Sequence, residues 1–112
     1  EGKEVIIFGC GEFGKLVSLY MAYMGRRIAS YIDNNSGQWG RELNGIPVEP
    51  PQHAVELFPD AVYIVANVEH HHEMKDQLIG YSIHEDNIIL CMDYMFFFKH
   101  ILLKAIKEKK CY

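Results

Sequence analysis

The stretch Val5-Ile6-Ile7-Phe8-Gly9-Cys10-Gly11-Glu12-Phe13-Gly14 decides the fold. Val5 to Phe8 is a short apolar run that reads as a buried strand. Glycines at 9, 11 and 14 follow in the pattern G-x-G-x-x-G. A helical apolar spacing then begins at once with Phe13, Leu16, Val17, Tyr20, Met21 and Met24. Strand, glycine turn and helix in that order form the context that a dinucleotide fingerprint requires. Gly9 would allow the sharp turn, Gly11 would let backbone approach a pyrophosphate, and Gly14 would let the helix lie close to the strand. The phosphates would sit on free N–H groups at the helix N-terminus. The plainer reading of the same pattern is a domain that keeps its glycines only for packing.

An acid follows at a suitable distance. Ile28-Ala29-Ser30-Tyr31-Ile32 reads as a second strand and ends at Asp33, 19 residues beyond Gly14. A ribose-binding acid is expected roughly 20 residues on. Further strands are predicted over about 62–66 and 87–91, with helices over 12–24, 69–80 and 93–109 and a short helix from Gln52 to Phe58, stopped by Pro59. Gly25 reads as a C-cap of the first helix. Strands that alternate with helices imply a parallel sheet with right-handed crossovers. The expected fold is therefore α/β, a three-layer sandwich of about four parallel strands in the order 3-2-1-4, with helices on both faces. Its crevice is expected at the C-terminal ends of strands 1 and 4. Residues 1–92 form this domain and 93–112 a C-terminal helix. Residues 34–51 read as a surface loop, with a flap carrying Trp39 or Arg41 over a ligand as the sharper alternative.

Charge is uneven. The net charge is −4, but residues 1–98 hold 6 basic and 14 acidic groups, while residues 99–112 hold five lysines and one glutamate. An acidic body argues against a nucleic-acid partner. Three cysteines, Cys10, Cys91 and Cys111, with no C-x-x-C pair suggest reduced thiols in a cytoplasmic protein. Met92 to Ile106 carries Asp93, Lys99, His100 and Lys104 and is too short and too charged to span a bilayer. Met95 to Phe98, Ile101 to Leu103 and Ile106 cover nearly the whole circumference of the last helix, wider than one core-facing stripe. The excess predicts a homodimer or an attached catalytic domain on the 93–109 helix.

Other chemistry fits less well. Gly9-xxxx-Gly14-Lys15 approaches a P-loop, but Leu16 stands where a magnesium-binding hydroxyl is needed. Cys10 has no arginine in its loop to bind phosphate or lower its pKa. His70, His71 and His72 point about 100° apart on a helix and do not converge on one metal ion. No catalytic residue and no metal ligand is assigned. Glu12 suits the dipole of the helix start but repels a diphosphate, with Lys15 the nearest counter-charge.

Three pieces together resemble a known group: I-I-F-G-C-G-E-F-G-K (6–15), Y-I-D-N-N (31–35) with G-I-P-V (45–48), and Y-I-V-A-N-V (63–68). They are similar to the small Rossmann-like domain of bacterial surface-polysaccharide proteins. That domain stands at the N-terminus of bacillosamine-type sugar acyltransferases and in capsular nucleotide-sugar dehydratases. The resemblance implies a nucleotide-binding or UDP-sugar-binding module of a glycan-biosynthesis transferase or dehydratase. Ligand contacts are implied from Gly9, Cys10, Gly11, Glu12, Phe13 and Gly14, from Asp33 and Asn34, and from Ala66 and Asn67. The acyltransferase's β-helix and the dehydratase's Tyr-x-x-x-Lys are missing, so the chain alone has no complete catalytic site. The alternatives are an NAD(P)-binding domain and a scaffold that binds nothing. UDP-sugar and NAD are the two candidate ligands.

Overall fold

Every residue of Val5–Phe8, the first strand (β1), is buried, as a strand covered on both faces requires. The computed structural model describes residues 3–91. After β1 come α1 (Glu12–Tyr23), β2 (Ser30–Ile32), β3 (Glu42–Leu43), β4 (Ile46–Glu49), α2 (Pro51–Leu57), β5 (Val62–Val65), α3 (His71–Gly80) and β6 (Ile88–Leu90). Two 3₁₀ turns, Ser36–Gln38 and Glu85–Asn87, sit between them. The expected C-terminal helix over 93–109, with its dimer or docking role, lies outside the described residues.

The six strands form one sheet in the order β3-β4-β2-β1-β5-β6. All neighbours pair parallel except β3 and β4. The α/β sandwich with a mostly parallel sheet is as expected, and three details are corrected. The parallel strands do run 3-2-1-4, but the third is Ile46–Glu49. The strand at 62–65 is the fourth and lies beside β1, and β6 is a fifth. The crevice position therefore moves to the ends of β1 and β5. The antiparallel β3–β4 hairpin was not foreseen. It turns on Asn44 and Gly45, with φ of 55° and 80°, the two left-handed residues of a type I′ turn, for which Asn-Gly is the favoured pair.

The chain winds away from β1 in both directions. The step from β1 to β2 goes one way, and the steps from β4 to β5 and from β5 to β6 go the other. Right-handed crossovers then place α1 on one face and α2 and α3 on the opposite face. The core follows this division. Phe8, Ile32, Tyr63 and Val65 pack with Ala54, Val55, Met74 and Leu78 on the α2–α3 side. Ile7, Tyr31, Val48 and Ile64 pack with Val17 on the α1 side. Full burial of each such large side chain stabilises by about 1.5–3 kcal/mol. The Tyr63 hydroxyl donates to the Phe58 carbonyl at 2.7 Å, which satisfies an acceptor at the end of α2, and burial pushes its pKa up to about 12. Helix α1 ends in a Schellman motif: Arg26 N–H donates to Met21 O and Gly25 N–H to Ala22 O, with Gly25 at φ 78°.

Candidate functional site

The glycine turn leaves the sheet between β2 and β5, held by Gly9 N–H on the Ile32 carbonyl (2.8 Å) and Ala66 N–H on the Phe8 carbonyl (2.9 Å). This is where the winding direction changes, the position at which open α/β sheets bind ligands. The three glycines differ. Gly9 has φ 116°, and a Cβ there would lie 2.7 Å from the Ala66 carbonyl oxygen. At Gly14 a Cβ would lie 1.9 Å from the Gly9 carbonyl oxygen, so α1 crosses the turn at a distance only glycine permits. Around Gly11 there is nothing within 4 Å. No side chain caps α1, so the N–H groups of its first turn have no side-chain acceptor.

Asp33 is built into this turn. Its Oδ2 accepts from Cys10 N–H at 3.1 Å and from the Cys10 thiol at 3.3 Å, and its Oδ1 accepts from Asn35 N–H at 2.8 Å. Burial, reinforced by the Asp33 carboxylate, pushes the Cys10 thiol up to about 11, against a smaller downward pull from the Arg41 charge. Cys10 is therefore a neutral donor at ordinary pH. Asp33→Ala strands the two backbone donors and should cost about 1–3 kcal/mol, with Asp33→Asn costing less because it keeps an acceptor. Urea unfolding checks this, and an alanine variant as stable as the parent contradicts these hydrogen bonds.

The segment after Asp33 is ordered by its own polar groups. Trp39 Nε1 donates to the Asp33 carbonyl at 2.7 Å, Asn35 Oδ1 accepts from Gly37 N–H at 3.0 Å, and Arg41 Nη1 donates to Gln38 Oε1 at 2.7 Å. The expected loop over 34–51 is thus a 3₁₀ turn, a hairpin and the start of α2.

Beside the turn opens a cleft of about 370 Å³, between the end of β2 and α3. Gly9, Asp33, Asn34 and Asn67 line it from one side, and His70, just before α3, with Glu73, Met74 and Gln77 on α3, lines it from the other. Asn34 and Gln77 exchange two hydrogen bonds across it, 2.9 and 2.8 Å. Asn67 Oδ1 accepts from Glu69 N–H and His70 N–H, closing the turn before α3. His70 pairs with Glu73 at 2.8 Å. A larger cleft of about 640 Å³ lies at the opposite end of the strands, by Arg26, Arg27 and Pro47. It holds no part of the glycine turn, and the position of the turn at the switch in winding favours the smaller cleft.

Of the residues singled out in the sequence, Gly9, Asp33, Asn34 and Asn67 meet at this cleft. Gly11 and Glu12 are exposed. Cys10 and Ala66 are buried, Phe13 packs against the α1-side core, and none of the three lines the cleft. His70, at the start of α3, was singled out in the sequence without a ligand role, and Glu73, Met74 and Gln77 on α3 were not singled out. Their spacing of 3, 4 and 7 is one helix face, and that period was the available signal.

The family described as C2185-like, N-terminal matches residues 1–89. The redox-sensing transcriptional repressor Rex of Brevibacillus brevis is 40% identical over 49 residues, 42% of this chain and 24% of the repressor. Among solved structures, RSP, a Rex-family repressor, superposes with a TM-score of 0.64 at 18% identity, covering 98% of this chain and 63% of RSP. RSP has also been solved with beta-NAD+ and operator DNA and with beta-NADH. UDP-D-quinovosamine 4-dehydrogenase from Vibrio fischeri superposes with a TM-score of 0.53 at 18% identity, over 73% of this chain and 71% of the enzyme. At these identities the structural likeness establishes a Rossmann-like fold. The chain spans about a quarter of the curated repressor and under two thirds of RSP.

One expectation is overturned here. The acidic balance argued against a nucleic-acid partner, yet the curated match is a transcriptional repressor and the same fold occurs in a repressor solved on operator DNA. A net charge summed over a chain does not by itself exclude such a partner. Among the described residues, no helix is long and apolar enough to cross a membrane.

Proposed function

The chain belongs to the C2185-like, N-terminal family, and on that premise we propose that it binds a dinucleotide of the NAD(H) type at the Gly9–Gly14 turn and the adjoining cleft. The observation that carries this is the bond between Asp33 Oδ2 and Cys10 N–H. It makes the acid and the glycine turn one rigid unit beside an open Gly11. The diphosphate sits on the first-turn N–H groups of α1, where the helix dipole favours an anion. An ionised carboxylate accepts at about four positions, and three on Asp33 are used within the chain. The remaining one serves a ribose hydroxyl. A 2′-phosphate placed there meets a like charge, so NADPH binds more weakly than NADH.

The likeness to Rex-family repressors supports NAD(H) over a UDP-sugar and suggests that occupancy is sensed as part of a regulatory protein. The UDP-sugar reading, with its glycan-biosynthesis setting and cytoplasmic transferase context, keeps the support of the sequence resemblance and of the fold likeness to UDP-D-quinovosamine 4-dehydrogenase.

A thermal-shift panel of NADH, NAD, NADPH, UDP and UDP-sugars tests the proposal. Ligand at a hundredfold excess over Kd stabilises by about 2.7 kcal/mol, worth about 10 °C in a domain of this size. NADH and NAD are expected to raise the melting temperature above NADPH. A shift with UDP-sugars alone transfers the site to the second reading, and no shift at millimolar ligand leaves a packing scaffold.

A further inference from the structure

Helix α1 is apolar on two opposite faces. Gly14, Val17 and Ser18 are buried, and Phe13 and Met21 pack against the same core as Val17. On the far side Leu16, Leu19 and Tyr23 stand in solvent, with Leu19 58% and Tyr23 54% exposed. At 100° per residue these three lie within about 60° of one another, away from Val17 and Met21. No residue from Leu16 to Met24 carries a charge. A helix apolar on all sides belongs in a protein interior, so the outer stripe marks a surface that a partner covers. Charge identifies the partner. The stripe runs back one turn to Glu12, and positions 12, 16, 19 and 23 have the alternating spacing of a coiled-coil seam. Glu12 is exposed at one end, and Arg27 is exposed at the other, just past the C-cap Met24. Among the described residues, neither forms a salt bridge. Arg26, in contrast, is held on the Lys3 carbonyl at 2.9 Å. Lys15, the other charged residue of α1, is partly buried to one side of the stripe. A stripe with an acid at one end, an apolar middle and a base at the other is complementary to its own reverse.

We infer that the outer stripe of α1 is a two-fold interface with a second copy of this chain. The two helices run antiparallel and cross near Leu19. Leu19 meets Leu19, Leu16 meets Tyr23 of the second copy, and Glu12 meets Arg27 of the second copy, each contact made twice by symmetry. A parallel pairing sets Glu12 on Glu12 and Arg27 on Arg27, and like charges exclude it. The apolar side chains supply the attraction. The ion pairs add little to it at a surface but fix the direction of the helices. A lipid surface is a poorer match, because helices that lie on one carry lysine and arginine along a polar face, and the other face of α1 packs on the sheet. Each copy also brings an arginine to the other's glycine turn, beside the acid that repels a diphosphate. The interface itself does not depend on the nucleotide reading and stands without it.

Sedimentation equilibrium of the full chain and its variants tests this. One helix against one helix is a small contact, so a dimer with a Kd of about 10–100 µM is expected. Leu19→Glu sets two carboxylates together at the two-fold axis and is expected to give a monomer up to about 200 µM. The position is exposed, so the melting temperature of the dilute protein is expected to stay within about 3 °C of the parent's. Glu12→Arg sets arginine against arginine and is expected to weaken the dimer about tenfold or more. Adding Arg27→Glu to Glu12→Arg restores opposite charges with their places exchanged, and the dimer is expected to return to within about threefold of the parent. A parent that stays monomeric at about 200 µM overturns the inference. A dimer that Leu19→Glu leaves intact also overturns it, because another surface then holds the copies together. So does a dimer that Glu12→Arg leaves unchanged, or one that the double reversal does not restore, because the helices are then not antiparallel.

Discussion

Gly14→Ala is expected to destabilise the domain by roughly 3–5 kcal/mol, the range in which a core clash is diagnostic. The cause is local and steric. The new Cβ would lie 1.9 Å from the Gly9 carbonyl oxygen and 2.9 Å from its carbon, and both are backbone atoms that no rotamer change can move. Relief requires α1 to lift off β1, which opens the contact of Val17 with the sheet. Gly9 cannot yield in turn, because its N–H is held by Ile32 and its own Cβ position is blocked by Ala66. Thermal unfolding should fall by more than about 10 °C for a domain of this length. A Gly14→Ala variant within about 0.5 kcal/mol of the parent, the range of an ordinary surface change, would contradict the packing of α1 on the turn.

Gly11→Val should behave in the opposite way. The backbone at Gly11 is extended, with φ −79° and ψ −159°, a region any residue adopts, and no atom lies within 4 Å of the added Cβ. The fold should lose at most about 1 kcal/mol, since valine is a poorer N-cap than glycine. Ligand binding should nevertheless be lost, because a branched side chain stands where the diphosphate must touch backbone N–H groups. An affinity for NADH reduced about a hundredfold or more, worth about 2.8 kcal/mol, is expected with the melting temperature of the free protein nearly unchanged. The pair of glycines therefore separates structure from binding within four residues: one substitution removes the fold, the other the ligand.

The central strands were legible because burial on both faces demands apolar runs. Val5 to Phe8, Tyr31 and Ile32, and Val62 to Val65 all read as strands for that reason, and the glycine spacing placed α1. The β3–β4 hairpin was harder. Its strands are two and four residues long, and one carries Pro47, which reads as a break; only Asn44-Gly45 announced the turn. Missing β4 displaced the strand at 62–65 from its place beside β1. At the site, the Asp33–Cys10 bond was not legible, because it depends on where β2 ends relative to the turn across the sheet. The α3 contribution was legible in period, but polar residues such as Glu73 and Gln77 fit a solvent-facing helix side as readily as the wall of a cleft. Charge balance was a weak guide to partners, because an acidic net charge does not exclude the repressor fold found on operator DNA in a structural neighbour.

The central claim is that the Gly9–Gly14 turn and Asp33 form a site for an NAD(H)-type dinucleotide. Calorimetric titration of NADH into the parent and into Gly11→Val tests it most directly. Saturable 1:1 heat with the parent and none with the equally folded variant is the predicted result. No heat with the parent at millimolar NADH, or equal binding by the parent and Gly11→Val, would contradict it.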